Sequence, residues 1–298
     1  MSAFSIWDPV RDEATFVIDE AVWGAGWFGD DLVTAFQPAD SSFRFLRAST
    51  GEPVAGGPVP PTSERSWPSP SGARSYMAME GGAVAVFDGQ TGIPIPLPNA
   101  LEGERVRWIS ANQDDSMIAI TRLRDGVFQT GIFDGATGAL IVDGLVGPGT
   151  TAFGDGELFA AENNRITRHD LGTLALTGAL PGARGEVNGL EVDAAGATLL
   201  ATANDETVTL YDVGSGRRLG DPIPADVPLI RQGFLRPDGE AFIVNVADGV
   251  QLWDARAQSH YEAACRLAGR ELTDEEWQTY LSWLPDRQPA CAGVLRAP

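Results

Sequence analysis

The sequence predicts an all-β fold, a β-propeller of six to seven four-stranded blades, and three observations support this prediction. Short strands with alternating apolar and polar residues end on an aromatic residue followed by Asp. These corners recur at intervals of about forty residues, which is typical of propeller blades. A second turn signal, rich in Asp and Gly, recurs with the same period and separates two short apolar runs in each repeat.

The best-formed corner lies within the segment Thr207-Val-Thr-Leu-Tyr-Asp-Val-Gly-Ser-Gly216. Its alternation predicts a half-buried strand. The residues that follow Tyr211 predict a tight turn, because Asp can accept hydrogen bonds from its own backbone and Gly tolerates a positive φ. The same corner, in complete or degraded form, occurs at Trp7-Asp8, Leu46-Arg47, Phe87-Asp88, Phe133-Asp134, His169-Asp170, Tyr211-Asp212 and Trp253-Asp254.

Each blade is expected to run through strands a, b, c and d from the axis outward, with the corner at the end of strand c. Residues 20–60 contain one complete set, and four more sets follow to about residue 224. Residues 228–254 supply strands a, b and c of another blade. The N-terminus supplies only a c strand (4–8) and a d strand (14–18).

Two arrangements agree with this count of strands. The ring has six blades and the strand near Ala14 closes the last one, or it has seven blades and the first lacks its inner strands. Closure by pairing the first and last blades removes exposed strand edges. We favour seven blades, because a lone c strand has no place in a six-blade ring. The missing strands are then expected upstream, in a longer parent protein.

An aromatic residue stands just before the turn between strands a and b in successive repeats. Because it recurs with the blade period, it is expected to pack between neighbouring blades. Trp23 lies outside every repeated position and is a candidate for the ring face. The repeated aromatic residues are Trp27, Trp67, Trp108, Phe153 and Phe234.

These features resemble the WD-repeat family of β-propellers over roughly residues 4–257. The best matches are Tyr211-Asp212 and Trp253-Asp254, with the turn Pro237-Asp-Gly239 upstream of the latter. The Gly-His dipeptide that opens many such repeats is absent, since neither histidine of the chain follows Gly. The buried His-Ser/Thr-Asp-Trp network of the family is therefore expected to be missing.

After Asp254 the pattern becomes helical, so we divide the chain into a propeller (1–257) and a C-terminal helical tail (258–298) packed on it. Residues 259–268 have helical spacing and end at Gly269. A capping box, Thr273-Asp-Glu-Glu276, opens a second helix that Pro285 ends. Its apolar stripe is expected to be buried on the propeller or to dock a partner. The stripe consists of Trp277, Tyr280, Leu281 and Leu284.

The tail segment Ala264–Trp277, followed by Cys291, resembles the C-terminal tail of actinobacterial WD-repeat signalling proteins. In those proteins the propeller follows a STAND-type NTPase, a transcriptional-activator-like domain or a protein kinase. The resemblance implies a sensor or scaffold whose partner is a protein or an upstream effector domain. No segment of this chain matches an NTPase or kinase motif.

Cys265 and Cys291 are the only cysteines. They are candidates for a disulfide that pins the tail, although two free thiols are the default in a reducing cytoplasm. Two cysteines and a distant histidine are too few ligands for a metal site. We therefore predict no metal and no cofactor.

The chain is strongly acidic, with a net charge of −20, and all its basic residues are arginine. An acidic surface repels phosphate backbones and anionic lipids, so nucleic-acid and membrane binding are not expected. The sequence contains neither an apolar run long enough to span a bilayer nor a recognisable signal peptide. These properties predict a cytoplasmic protein.

Catalytic motifs are scarce. No G-x-S-x-G elbow or P-loop is present, and two histidines supply Ser-His-Asp chemistry poorly. His169 occupies a corner position and is interpreted as structural, whereas Asp114, Asp115 and Glu157 are expected to be solvated loop charges.

The sequence thus favours a non-enzymatic interaction or sensor propeller with no catalytic residue. Two alternatives stay open: a hydrolase-like or lactonase-like propeller enzyme with a metal in the axial channel, and a self-associating structural module.

Overall fold

We analysed a computed structural model of the chain. It describes residues 4–8, 13–18, 24–29, 32–37, 42–47, 49–54, 66–79, 82–98, 101–102, 105–146, 149–224, 233–236, 238–246, 249–282, 289–291 and 294. These residues form twenty-five strands, arranged in seven antiparallel sheets, and two helices.

The strands follow one another in chain order within each sheet, except in the sixth, where β22 pairs with β20. The first two sheets are β1 (Phe4–Asp8) with β2 (Glu13–Ile18), and β3 (Gly24–Gly29), β4 (Leu32–Gln37) and β5 (Ser42–Arg47). The third comprises β6 (Ser66–Pro68), β7 (Arg74–Ala78), β8 (Ala83–Asp88) and β9 (Leu101–Glu102). The fourth comprises β10 (Val106–Ala111), β11 (Met117–Arg124), β12 (Val127–Asp134) and β13 (Leu140–Val146).

The fifth sheet comprises β14 (Thr150–Phe153), β15 (Glu157–Glu162), β16 (Arg165–Asp170) and β17 (Leu176–Leu180). The sixth contains β18 (Val187–Val192), β19 (Thr198–Ala203), β20 (Thr207–Asp212), β21 (Arg217–Arg218) and β22 (Ile223–Pro224). The last contains β23 (Gly233–Leu235), β24 (Ala241–Val246) and β25 (Gly249–Asp254).

The architecture is an all-β propeller with five blades, which corrects the predicted six to seven. Four sheets have four or more strands, and the β3–β5 sheet reaches its fourth position through the bridge Leu46–Pro53. Among the residues that the structure describes, the β1–β2 sheet has no inner pair and the β23–β25 sheet has no outer strand. Counting corners overestimated the blades, because a corner marks only strand c.

The corners themselves have the predicted turn chemistry. In three of them the Asp Oδ1 accepts hydrogen bonds from the amides two and three residues later and from a Thr hydroxyl. These bonds hold the pKa of each Asp below its usual range. The Asp and Thr pairs are Asp88 with Thr91, Asp134 with Thr137, and Asp170 with Thr173. Asp212 accepts the amide of Ser215 in the same way.

Three of the aromatic residues before the a-to-b turns, Trp67, Trp108 and Phe153, pack between neighbouring sheets. Trp67 is buried and its ring lies edge-on to Trp108, with centroids 6.5 Å apart. The indole of Trp108 donates to the Thr151 carbonyl of the next sheet at 3.0 Å. Phe153 is buried as predicted, Phe234 is partly exposed, and the side chain of Trp27 lies outside the described residues.

The two predicted C-terminal helices are present as α1 (Ala257–Ala268) and α2 (Asp274–Tyr280). Gly269 caps α1 in the left-handed region, at φ 64°. The capping box also forms: Thr273 Oγ1 accepts the Glu276 amide at 3.2 Å, and Glu276 accepts the Thr273 amide at 2.9 Å. Neither described helix has the length and apolar character needed to cross a bilayer.

Candidate functional site

A buried polar cluster joins two neighbouring sheets around Asp115, which corrects its assignment as a solvated loop charge. Asp115 lies in the β10–β11 turn and is only 6% exposed. It accepts hydrogen bonds from Ser69 Oγ at 3.1 Å, Ser71 Oγ at 2.5 Å and the Tyr76 hydroxyl at 3.2 Å. Burial and the nearby carboxylate raise the pKa of Tyr76. These partners belong to the preceding sheet, so the cluster links blades rather than facing a ligand.

The other two turn carboxylates have separate environments. Asp114 is exposed, as predicted, and hydrogen bonds from the side chain and the amide of Ser116 lower its pKa. Glu157 is partly buried and pairs with Arg168 at 2.5 Å, so it is an ion-pair partner rather than a free loop charge. Asp114, Asp115 and Glu157 therefore do not converge on one site.

The inner strands carry one carboxylate that sequence reasoning missed, Glu191 on β18. Its Oε2 accepts the Leu235 amide of the neighbouring inner strand β23 at 2.7 Å. The residue as a whole is partly exposed, but its carboxyl group lies deep in the protein. Desolvation there raises the pKa of Glu191 to about 8, against the lowering effect of the amide bond. A glutamate between Leu190 and Val192 on β18 was the available sequence signal.

Glu191 has no described partner of the kind that catalysis or metal binding requires. No group of three or more His, Cys, Asp or Glu side chains in the described part of the chain could hold a metal ion. The described strands β6, β10, β14 and β23, which are innermost in their sheets, contain no Asp, Glu or His. The carboxyl group can hold a proton and accept the hydrogen bond of the Leu235 amide. The described residues around it supply no second group for catalysis or metal binding.

His169 is a buried structural residue, in agreement with its corner position. Its Nδ1 lies 3.0 Å from the Leu174 carbonyl, and its Nε2 lies 2.8 Å from Thr167 Oγ1. Both ring nitrogens are therefore engaged within their own sheet.

The tail has a small buried centre and exposed apolar residues. Cys265 and Cys291 are joined by a disulfide, and both are buried. The amide of Cys291 donates to the carboxylate of Glu271 on the loop between the helices, at 3.1 Å to each oxygen. The disulfide therefore holds the chain after α2 against α1, and the hydrogen bonds hold it against that loop.

The predicted docking stripe is divided by the fold. Trp277 is buried, so its side chain is not available as a docking residue. Tyr280 is 69% exposed and Leu281, the C-terminal cap of α2, is partly exposed. Trp23 and Leu284 lie outside the described residues. Sequence spacing missed Leu267 on α1, whose side chain is 89% exposed.

Comparison with known proteins supports the fold alone. No family model matches the chain, and no curated protein matches it. Among solved structures, the crystal structure of the computationally designed Ika8 protein is similar, with a TM-score of 0.62 and 14% sequence identity. The alignment covers 85% of this chain and 90% of the designed one.

Proposed function

We propose that this chain is a non-enzymatic protein-interaction propeller, acting as a sensor or scaffold for a bacterial signalling partner. The partner is an effector protein or domain of the NTPase, kinase or regulator type. The resemblance of the corners to WD repeats, and of the tail to actinobacterial signalling proteins, supports this choice. A cytoplasmic location is part of the same proposal.

The observation that carries the proposal is the exposure of Leu267 and Tyr280 on a tail held in place by a disulfide. Large apolar side chains on a segment with its own buried centre contribute nothing to that centre. Exposed apolar groups on a preorganised segment lose little conformational entropy on binding, so they are efficient contacts for a partner. Exposed leucines also occur on the propeller, so substituting one of them provides a control for substitutions in the tail.

The proposal is tested by capturing partners with the whole chain and with the double variant Leu267→Ala/Tyr280→Ala. Both side chains are largely exposed, so the variant is expected to fold normally. We expect wild type to retain a specific effector protein, identified by mass spectrometry and reconstituted from purified components, and the variant to bind it at least tenfold more weakly.

Leu140→Ala is the control, because Leu140 is 50% exposed on β13, away from the tail. It should bind the effector like wild type. Equal binding by the double variant, or the absence of any reconstituted partner, would contradict the proposal. So would a tightly held divalent cation together with hydrolase turnover in the purified protein.

A further inference from the structure

In each of four successive sheets, cross-strand register aligns one residue from the three inner strands into a row. The rows lie on the face turned toward the following sheet. They are Trp67–Tyr76–Val86, Ser110–Ala119–Ile132, Ala152–Phe159–Arg168 and Glu191–Leu200–Leu210.

The inner strands of the following sheet cover each row. Tyr76 and Val86 share a buried cluster with Ile109 and Ile118. In the same way, Leu200 and Leu210 are buried together with residues of β23 and β24. The middle residue of every row is fully buried. The rows are therefore the interfaces between successive blades.

The equivalent row of the last sheet is Phe234–Ile243–Leu252, and it is not covered in this way. Phe234 and Ile243 are partly exposed, and Leu252 is 61% exposed. Its equivalent in the preceding sheet, Leu210, is 7% exposed. The opposite face of the β23–β25 sheet is buried against the β18–β22 sheet. The sheet thus presents an apolar face with the shape of a blade interface.

A second observation concerns the kind of element that is missing from a blade. The β1–β2 sheet contains two strands of the outer type, with the corner Trp7-Asp8 at the end of β1. Among the described residues β1 pairs only with β2, whereas every other corner strand pairs inward with a strand b. Within the described part of the chain, no hairpin packs on the exposed row and no inner pair extends the β1–β2 sheet.

We propose that the row Phe234–Ile243–Leu252 is a docking site for an antiparallel β-hairpin of a partner protein. The hairpin has strands of about six residues with apolar side chains at alternate positions, like β18 and β19. It packs on the row as strands a and b of the next blade do elsewhere, and its free edge can pair with β1. This inference rests on the proposed function, but it uses a surface outside the tail.

The test measures binding of a fluorescein-labelled cyclic peptide that carries residues 106–124 of this chain. This β10–β11 hairpin already covers the aromatic row of its neighbouring sheet. We expect saturable binding to the whole protein by fluorescence anisotropy, weakened at least tenfold by Leu252→Asp. A cyclic peptide of scrambled sequence should not bind.

Leu176→Asp is the matched control, because Leu176 is 59% exposed on the outer strand β17. It should bind the hairpin like wild type. Absence of hairpin binding, or equal binding by Leu252→Asp, overturns the inference. A dimer in light scattering that Leu252→Asp abolishes also overturns it, since the occupant would then be a second copy. None of these results alters effector capture through Leu267 and Tyr280, so the two proposals fail separately.

Discussion

At the residue scale, Asp115 is a buried carboxylate whose hydrogen bonds join two sheets. Its carboxylate accepts hydrogen bonds from three hydroxyl groups of the preceding sheet. Removing it leaves the buried hydroxyls of Ser69 and Tyr76 without this acceptor, whereas Ser71 is exposed to water. A buried donor that loses its partner costs about 1–3 kcal/mol. We therefore expect Asp115→Ala to lower the free energy of unfolding by about 2–4 kcal/mol, measured by urea denaturation.

Two further variants test whether the loss of stability comes from the buried hydrogen bonds of Asp115. Asp114→Ala changes the adjacent exposed carboxylate and should alter stability much less. Tyr76→Phe removes one of the three donors and should cost less than Asp115→Ala, because the acceptor keeps the two serine partners. Equal effects for Asp114→Ala and Asp115→Ala would show that the cluster does not join the sheets.

Glu191 gives the protein a pH dependence of known sign. Its pKa in the folded state is about 8, above its ordinary value of 4.5, so the native protein keeps a proton that the unfolded chain releases. The contribution of Glu191 to stability therefore falls as pH rises from about 4.5 to about 8, with a limiting slope of about 1.4 kcal/mol per pH unit.

The variant Glu191→Gln isolates this contribution from those of the many other carboxylates. Glutamine keeps an oxygen acceptor for the Leu235 amide but does not ionise. We expect the stability of Glu191→Gln relative to wild type to increase between pH 5 and pH 8 in parallel urea titrations. Parallel curves with a constant offset would mean that Glu191 ionises normally in the folded protein.

At the element scale, the tail depends on its single covalent cross-link. The bond between Cys265 and Cys291 spans a sequence separation of 26 residues. Chain-entropy arguments for a loop of this length give a stabilisation of about 3–4 kcal/mol. The tail is expected to depend on the bond, because α1 and α2 are short and short helices are marginally stable alone.

We therefore expect the double variant Cys265→Ser/Cys291→Ser to lose amide protection in α1 and α2 while β18–β20 remain protected. Hydrogen exchange with mass spectrometry measures both regions in one experiment. Wild type treated with dithiothreitol should match the variant. If α1 and α2 kept wild-type protection in both samples, packing rather than the disulfide would hold the tail.

The turn at Leu174 shows how burial can override backbone preference within a repeated element. Leu174 has φ 55°, where the equivalent Gly92, Gly138 and Gly216 have φ between 68° and 71°. A left-handed leucine is strained by about 1–2 kcal/mol. Its side chain, however, is buried with Phe153 and Leu158, and full burial of a leucine contributes about 1.5–3 kcal/mol. The second effect is larger, which explains why a leucine is tolerated at this position.

At the scale of the whole molecule, the positions of the strands could be predicted from the sequence, whereas the number of blades could not. Period-two alternation and Asp-Gly turns depend on neighbouring residues in the chain, so all seven corner strands lie where they were expected. The burial of Asp115 and the environment of Glu191 depend on residues 39 to 46 positions away in sequence. Such contacts between sheets cannot be read from a local pattern.

The candidate sites divide in the same way. The capping box at Thr273 was identified from its short spacing. Cys265 and Cys291 were candidates for a disulfide because they are the only cysteines, and the sequence left their pairing open. The separation of buried Trp277 from exposed Tyr280 was not predicted, because helical spacing defines a stripe without saying which of its residues the fold buries. The exposure of Leu252 could not be predicted for a related reason. Its strand alternates like any half-buried strand, and the side chain is exposed because none of the described sheets covers it.

The arrangement of sheets also predicts a gradient of stability along the chain. In a repeat array each unit is stabilised by its neighbours, so a unit with one uncovered face opens more readily. The β14–β17 and β18–β22 sheets are covered on both faces, whereas the β23–β25 sheet exposes the row Phe234–Ile243–Leu252. We expect amides of β24 to exchange at least tenfold faster than those of β15 and β19. Addition of the cyclic hairpin should slow exchange in β24 and leave β15 unchanged, because the hairpin replaces the missing neighbour. Equal protection in all three strands of the free protein would mean that the last sheet is already covered in solution, and that the five-blade arrangement closes on itself.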